Sequence, residues 1–168
     1  MATTQPIYDH FTNPVDMVEH IATIHDWTFE RSAPDELTLT VSGTWCDYHI
    51  SLTWRDDLEA LHLACAFDFK VPKVRLGEIY KLMALINEQL WLGHFEMWSG
   101  SGLLVFRHST VLDTRDGEGL SLDQAEAIAE AALEECERFY PVFQFVLWGG
   151  KSPGEAIAAA LIDTHGEA

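Results

Sequence analysis

The side chains best suited to chemistry are Asp47, His49 and His62, which fall at alternating positions of two segments with strand periodicity. Neutral imidazoles and a carboxylate are ligands that zinc takes, so the three define the candidate metal or catalytic cluster. If Trp45 to Trp54 and the segment after Leu58 form a hairpin around Arg55-Asp56-Asp57-Leu58, the three share a face and His49 lies diagonal to His62. Ser51, Thr53, Ala64 and Ala66 share that face, and a solvated or helix-covered sheet surface accounts for all of these residues without a ligand.

Other candidates are weaker still. His20 and His25 stand five apart and miss the i, i+4 face of a helical metal pair. There is no G-x-S-x-G elbow, and Ser99-Gly100-Ser101-Gly102 lies between two strand-like segments, which makes it a hairpin tip instead of a phosphate loop. Cys46, Cys65 and Cys136 are far apart, odd in number and without a C-x-x-C pair, as expected of reduced thiols in a cytoplasmic protein. No catalytic residue, metal or cofactor is expected, and the chain reads as non-enzymatic.

Charge narrows the partners. With 27 acidic against 10 basic residues in 168, the formal charge is -17 and no basic patch gathers, so nucleic acid and anionic membrane lack their usual electrostatic drive. The acidity suits a strongly charged, soluble surface, or an acidic face for a basic peptide. No apolar run approaches the roughly 20 residues of a membrane span. The length and 48% hydrophobic content suit one domain over residues 1–168 with a substantial core, residues 1–12 forming a loosely ordered lead-in.

The elements that must position these residues are legible in the pattern. Asn13-Pro14 with Asp16 marks a helix start, and the face Val15, Val18, Ile21, Ala22 and Ile24 carries it to about His25. Strands follow at WTFER, at Glu36 to Val41 and at Trp45 to Trp54, the last with Cys46, Tyr48, Ile50, Leu52 and Trp54 inward. A two-residue Ser42-Gly43 turn places Leu39 opposite Cys46, Leu37 opposite Tyr48 and Thr38 opposite Asp47. The next hairpin pairs Leu52 with Leu61, Ile50 with Leu63 and Tyr48 with Cys65. Val74, Ile79, Leu82, Met83, Ile86, Leu90 and Trp91 then predict one amphipathic helix from Pro72 to Leu92, ended by Gly93. HFEMW and LLVFRHSTV form a third hairpin, Phe95 facing Phe106 and Met97 facing Leu104. Asp113 to Gly119 is the segment expected to be most mobile. Ser121 with Gln124 caps an Ala- and Glu-rich helix, Pro141 predicts a kink or break between Tyr140 and Val142, and Ser152 with Glu155 caps a last helix.

The order of these elements, with WCDYHISLTWRDDLEALHLACAFDF, LMALINEQLWLGHFEMW and ECERFYPVFQFVLWGGKS, resembles the YbjN family from about Asn13 to Ala168. Those bacterial proteins are described as sensory-transduction regulators with a fold similar to type III secretion chaperones. The resemblance implies an α+β domain, an antiparallel sheet of hairpins with helices packed on it, commonly dimeric, in a regulatory or partner-binding role. It transfers no catalytic motif.

Tyr80, Leu85, Leu92 and Trp98 fall off the main apolar stripe or sheet face, and form the expected interaction surface, for a second copy of the chain or another protein segment. The aromatic mass of Trp91, Trp98, Phe139, Tyr140, Phe143, Phe145 and Trp148 exceeds what one small core needs, and is assigned to core and dimer packing ahead of a ligand pocket.

Overall fold

The computed structural model describes residues 13–114 and 119–165. The expected lead-in and residues 115–118 of the expected mobile loop lie outside the described residues. In chain order the elements are α1 (Pro14–Ile24), β1 (Thr28–Ala33), β2 (Glu36–Ser42), β3 (Asp47–Arg55), β4 (Ala60–Lys70), α2 (Leu76–Asn87), β5 (His94–Trp98), β6 (Leu103–Val111), α3 (Leu122–Leu147) and α4 (Pro153–His165). The strands make one antiparallel sheet in the order β1-β2-β3-β4-β6-β5, so α2 carries the chain past β6 and the last hairpin returns to pair with β4.

One sheet face is the core wall. Tyr48, Ile50, Leu52 and Trp54 of β3 and Leu61, Leu63, Cys65 and Phe67 of β4 are buried on it, under Val15, Val18 and Ile21 of α1, Ile79, Leu82 and Ile86 of α2 and the inner stripe of α3. That stripe changes character along its length. Ala125, Ala129 and Ala132 allow close approach in the first half, while Phe139 and Phe143 fill a wider gap in the second, edge-on to Phe95. The alternate strand positions face away from the helices and are mostly exposed or half-buried, with Ala64 and Val105 buried among their neighbours on that face.

The caps follow the sequence. Asn13 Oδ1 accepts from Val15 N (3.0 Å), Ser121 and Gln124 exchange both hydrogen bonds of a capping box, and Ser152 and Glu155 do the same. Phe95 opposite Phe106 and Met97 opposite Leu104 are also as expected.

Two registers differ from expectation. Leu39 lies opposite Ile50 and Leu37 opposite Leu52, so Thr38 meets Ser51, because the β2–β3 connection is Gly43 to Cys46 instead of a two-residue turn. Leu52 lies opposite Leu63 and Ile50 opposite Cys65, because the chain needs Asp56 to Glu59, with Glu59 left-handed at φ 47°, to turn into β4. Both offsets are even, which leaves the expected faces buried. The longer β2–β3 loop is held by α3: Glu137 Oε1 accepts from Thr44 N (2.9 Å) and the Glu137 carbonyl accepts from Trp45 Nε1 (3.0 Å). Gly43 passes so close that a Cβ there would run into the Tyr48 ring and the Glu137 carboxylate.

The same carbonyl explains Pro141. A proline inside a helix has no N–H for the carbonyl four residues back, here Glu137. The Trp45 indole supplies the missing donor, and α3 runs unbroken through Pro141 for 26 residues, where a kink or break was expected.

The helix expected from Pro72 to Leu92 is shorter. Lys73–Arg75 form a single 3-10 turn, and α2 ends at Asn87, whose side-chain amide donates to Phe95 O (2.9 Å) and accepts from Phe95 N (2.7 Å). Tied to β5 in this way, Asn87 turns the chain away from the helix axis. Val74 (90% exposed) and Trp91 (98% exposed) are therefore outside the apolar stripe to which their spacing assigned them.

Two outcomes test this architecture. Leu63→Ala, removing a buried side chain from the centre of β4, lowers stability by about 2–5 kcal/mol in denaturant titration, whereas His62→Ala on the open face changes it by about half a kcal/mol. Trp45→Phe, which leaves the Glu137 carbonyl without its donor, costs about 0.5–1.5 kcal/mol. The cost shrinks in a Pro141→Ala background, where the backbone N–H is restored; equal costs in the two backgrounds would show that the indole does not complete the helix.

Candidate interaction surface

Of the four residues expected to form one surface, three are near each other in the chain and one is separated by the sheet. Tyr80 on α2 and Leu92 in the following turn are each about half exposed. Leu85 is partly buried and lines a shallow groove of about 440 Å³ with Lys81, Ala84 and Glu88 of α2 and Pro153 and Gly154 of α4. Trp91 stands beyond them in water. Trp98 belongs elsewhere: Phe95 and Met97 face the helices, so Glu96 and Trp98 face the opposite way, where the Trp98 indole donates to Glu96 Oε1 (2.8 Å). Gly93 sets this arrangement, with φ 70° and no room for a Cβ against the Phe106 ring.

Asp47, His49 and His62 do share the open face, but the register separates them. Thr53 is opposite His62 and Ala66 is opposite His49, so the two histidines are not diagonal neighbours; four residues along β3 part them, roughly 13 Å at strand rise. Each has its own partner: Asp47 accepts from Ser42 Oγ (2.7 Å), His49 Nδ1 meets Thr40 Oγ1 (3.2 Å), and His62 Nε2 accepts from Arg107 Nε (2.7 Å). Among the described residues, no group of three or more His, Cys, Asp or Glu is placed to hold a metal ion. His25 meets Glu126 Oε1 at 2.5 Å and stacks on Trp27, which ties α1 to α3.

Spacing gave no sign of a second network. Glu96 collects the Trp98 indole, His94 Nε2 (3.2 Å) and Arg107 (3.5 Å), and Arg107 reaches His62 across the β4–β6 ladder. Burial works against it, yet Trp98, His94 and Arg107 hold the Glu96 carboxyl below its ordinary value. Alternation put His62 on this face; the residues joining it to Glu96 come from strands far apart in sequence, whose pairing only the sheet order reveals.

Cys46 and Cys136 are poor nucleophiles. Burial, with the Asp68 carboxylate nearby, pushes the Cys46 thiol up to about 11, and burial raises Cys136 well above the ordinary range. What the surface offers is apolar and aromatic contact area. No helix among the described residues is long and apolar enough to cross a membrane.

An open six-stranded antiparallel sheet with its helices on one side places the chain, first, in the α+β class. The ExsC–ExsE complex contains a chain that superposes on 78% of this one and 94% of its own length, with TM-score 0.54 and 19% identity. YbjN from E. coli, a "putative transcription regulator", superposes on 75% of this chain and 87% of its own, with TM-score 0.53 and 13% identity. A comparison with curated proteins finds no match. Residues 14–145 match the YbjN family model, described as "Putative bacterial sensory transduction regulator", and the chain belongs to that family.

Burial, then the Arg107 charge, lowers the His62 pKa below 6.5, and burial, then His94, does the same for His108. A base depressed in the fold binds fewer protons there than in the unfolded chain, so its contribution is present above pH 6.5 and lost as pH falls through the folded value. His62→Gln, which keeps an acceptor for Arg107, therefore loses less stability than wild type between pH 7 and pH 5 in denaturant midpoints. Identical losses would exclude His62 as a source of the pH dependence.

Proposed function

We propose that the protein is a non-enzymatic cytoplasmic regulator that works by binding a protein segment, and that it pairs with a second copy of itself through α2 and the turn after it. Trp91 carries this reading: an indole 98% exposed, next to half-exposed Leu92 in the turn that follows α2, is surface that water solvates poorly, and α2 itself adds half-exposed Tyr80 and an apolar groove at Leu85. Tryptophan and tyrosine are the side chains that most often dominate binding energy once covered. Membership of the YbjN family and a fold shared with ExsC, which was solved with ExsE bound, support a role in partner binding. With Trp98 on the other sheet face, the pairing surface reduces to Tyr80, Leu85, Trp91 and Leu92.

Light scattering at micromolar concentration should give twice 18.9 kDa, reverting to 18.9 kDa in Trp91→Ser/Leu92→Glu with an unchanged circular dichroism melt. A wild-type mass of 18.9 kDa that does not rise with concentration rejects the pairing. A photo-crosslinking side chain at position 91 in living cells should yield protein adducts, and their absence rejects protein binding at this surface.

A further inference from the structure

At the end of the sheet where β4 stops, strand alternation fails. The β4–β6 pairing is irregular between Ala66 and Lys70, and Phe67, Asp68 and Phe69 all reach Tyr140 of α3: the two rings edge-on at 5.2 and 5.5 Å, Asp68 by accepting the Tyr140 hydroxyl at 2.8 Å. Phe69 continues edge-on to Trp148 at 5.2 Å. Trp148 is 58% exposed, and Phe145, one turn back on α3, is also exposed. Trp45, 49% exposed, is anchored on the same helix through its indole N–H, which donates to the Glu137 carbonyl. A ledge of aromatic faces thus runs along the second half of α3. From Glu137 to Trp148 it is roughly 16 Å long at helix rise, the span of about five residues of extended chain.

Two carboxylates border the ledge, Asp68 exposed and Glu137 half-buried. Arg31, Arg55, Arg75, Arg107 and Arg138 each face an acidic side chain, but among the described residues no cation pairs with Asp68 or Glu137. The rings of this helix do accept cations: Lys151 Nζ sits 4.9 Å over Phe145 and the Arg138 guanidinium 4.9 Å over Phe139. Tryptophan offers the best face for such contact, and here two half-exposed indoles lie near carboxylates without a counter-charge.

We propose that Trp45, Phe69 and Trp148, with Asp68 and Glu137, form a docking surface for an extended, arginine- or lysine-bearing segment of a partner protein. The proposal rests on the protein-binding role above and gives that partner its chemistry. A cationic side chain that stacks on Trp148 or Trp45 and meets Asp68 or Glu137 gains a ring contact and a charge-assisted bond together. The formal charge of -17 steers a basic segment toward the protein, and keeps polyanions away.

The test is calorimetric titration of the full chain with a synthetic peptide of about twelve residues carrying alternating arginines, against the same peptide with glutamate for arginine, at physiological salt. The arginine peptide should bind and quench tryptophan emission, and the glutamate peptide should not. Trp148→Ala and Asp68→Asn should each weaken binding about tenfold, while Glu30→Gln on the distant β1 edge changes it less than about twofold. Asp68→Asn keeps an acceptor for the Tyr140 hydroxyl, so it remains informative if Trp148→Ala loosens the fold. Equal weakening in Glu30→Gln overturns the proposal in favour of general acidity. N-acetylarginine amide binding as tightly as the peptide overturns it in favour of a small cation site. No binding by the arginine peptide, with adducts still forming at position 91, overturns the proposal and leaves the protein-binding role standing.

Discussion

Glu137 is the residue through which the two halves of the fold are set against each other. Its carbonyl, released by Pro141, is taken by the Trp45 indole, and its carboxylate takes the Thr44 amide. These contacts join the β2–β3 loop to the middle of α3, and that loop determines which residue of β2 meets which residue of β3. A buried or half-buried carbonyl without a donor is costly, so a helix carrying a proline at this depth requires an outside partner. Burial works against it, but Thr44 and its neighbours hold the Glu137 carboxyl below its ordinary value, which keeps it the anion that the loop amide prefers.

Features fixed by nearest neighbours could be read from the chain: the Asn13 cap, both capping boxes, the outward and inward alternation of β2 to β4, and the Phe95–Phe106 register, which the short tip after Trp98 dictates. Features fixed by a distant group could not. The Gly43 to Cys46 loop exceeds a two-residue turn because Glu137, more than ninety positions away, holds it open. The end of α2 looks like helix in spacing alone, because Leu90 and Trp91 continue the stripe, and the bond that stops it is made by Asn87 to a strand not yet formed when the pattern is scanned.

The candidate surface was legible to a similar degree. Tyr80 and Leu92 are exposed, as their position off the stripe implied. Trp91 was absorbed into the core by the overlong helix. Trp98 was grouped with them, although the correctly paired Phe95 already committed it, by alternation, to the face shared with Glu96. The ledge along α3 was hidden for another reason: it depends on a break in alternation after Ala66, and periodicity is informative only while the period holds.

Asn87 has a further consequence. By accepting and donating with a single residue of β5, its amide behaves as a peptide group borrowed from the side chain, and it closes residues 88 to 94 into a ring whose two ends are fixed. Chain closed at its base is held to a small region of space at an entropic cost that grows only slowly with its length. Within that ring Leu90 packs on the core and Gly93 is pressed against Phe106, so substitution is decoupled from the sheet and from α2 only at exposed Trp91, where a side chain can change while the core packing stays as it is.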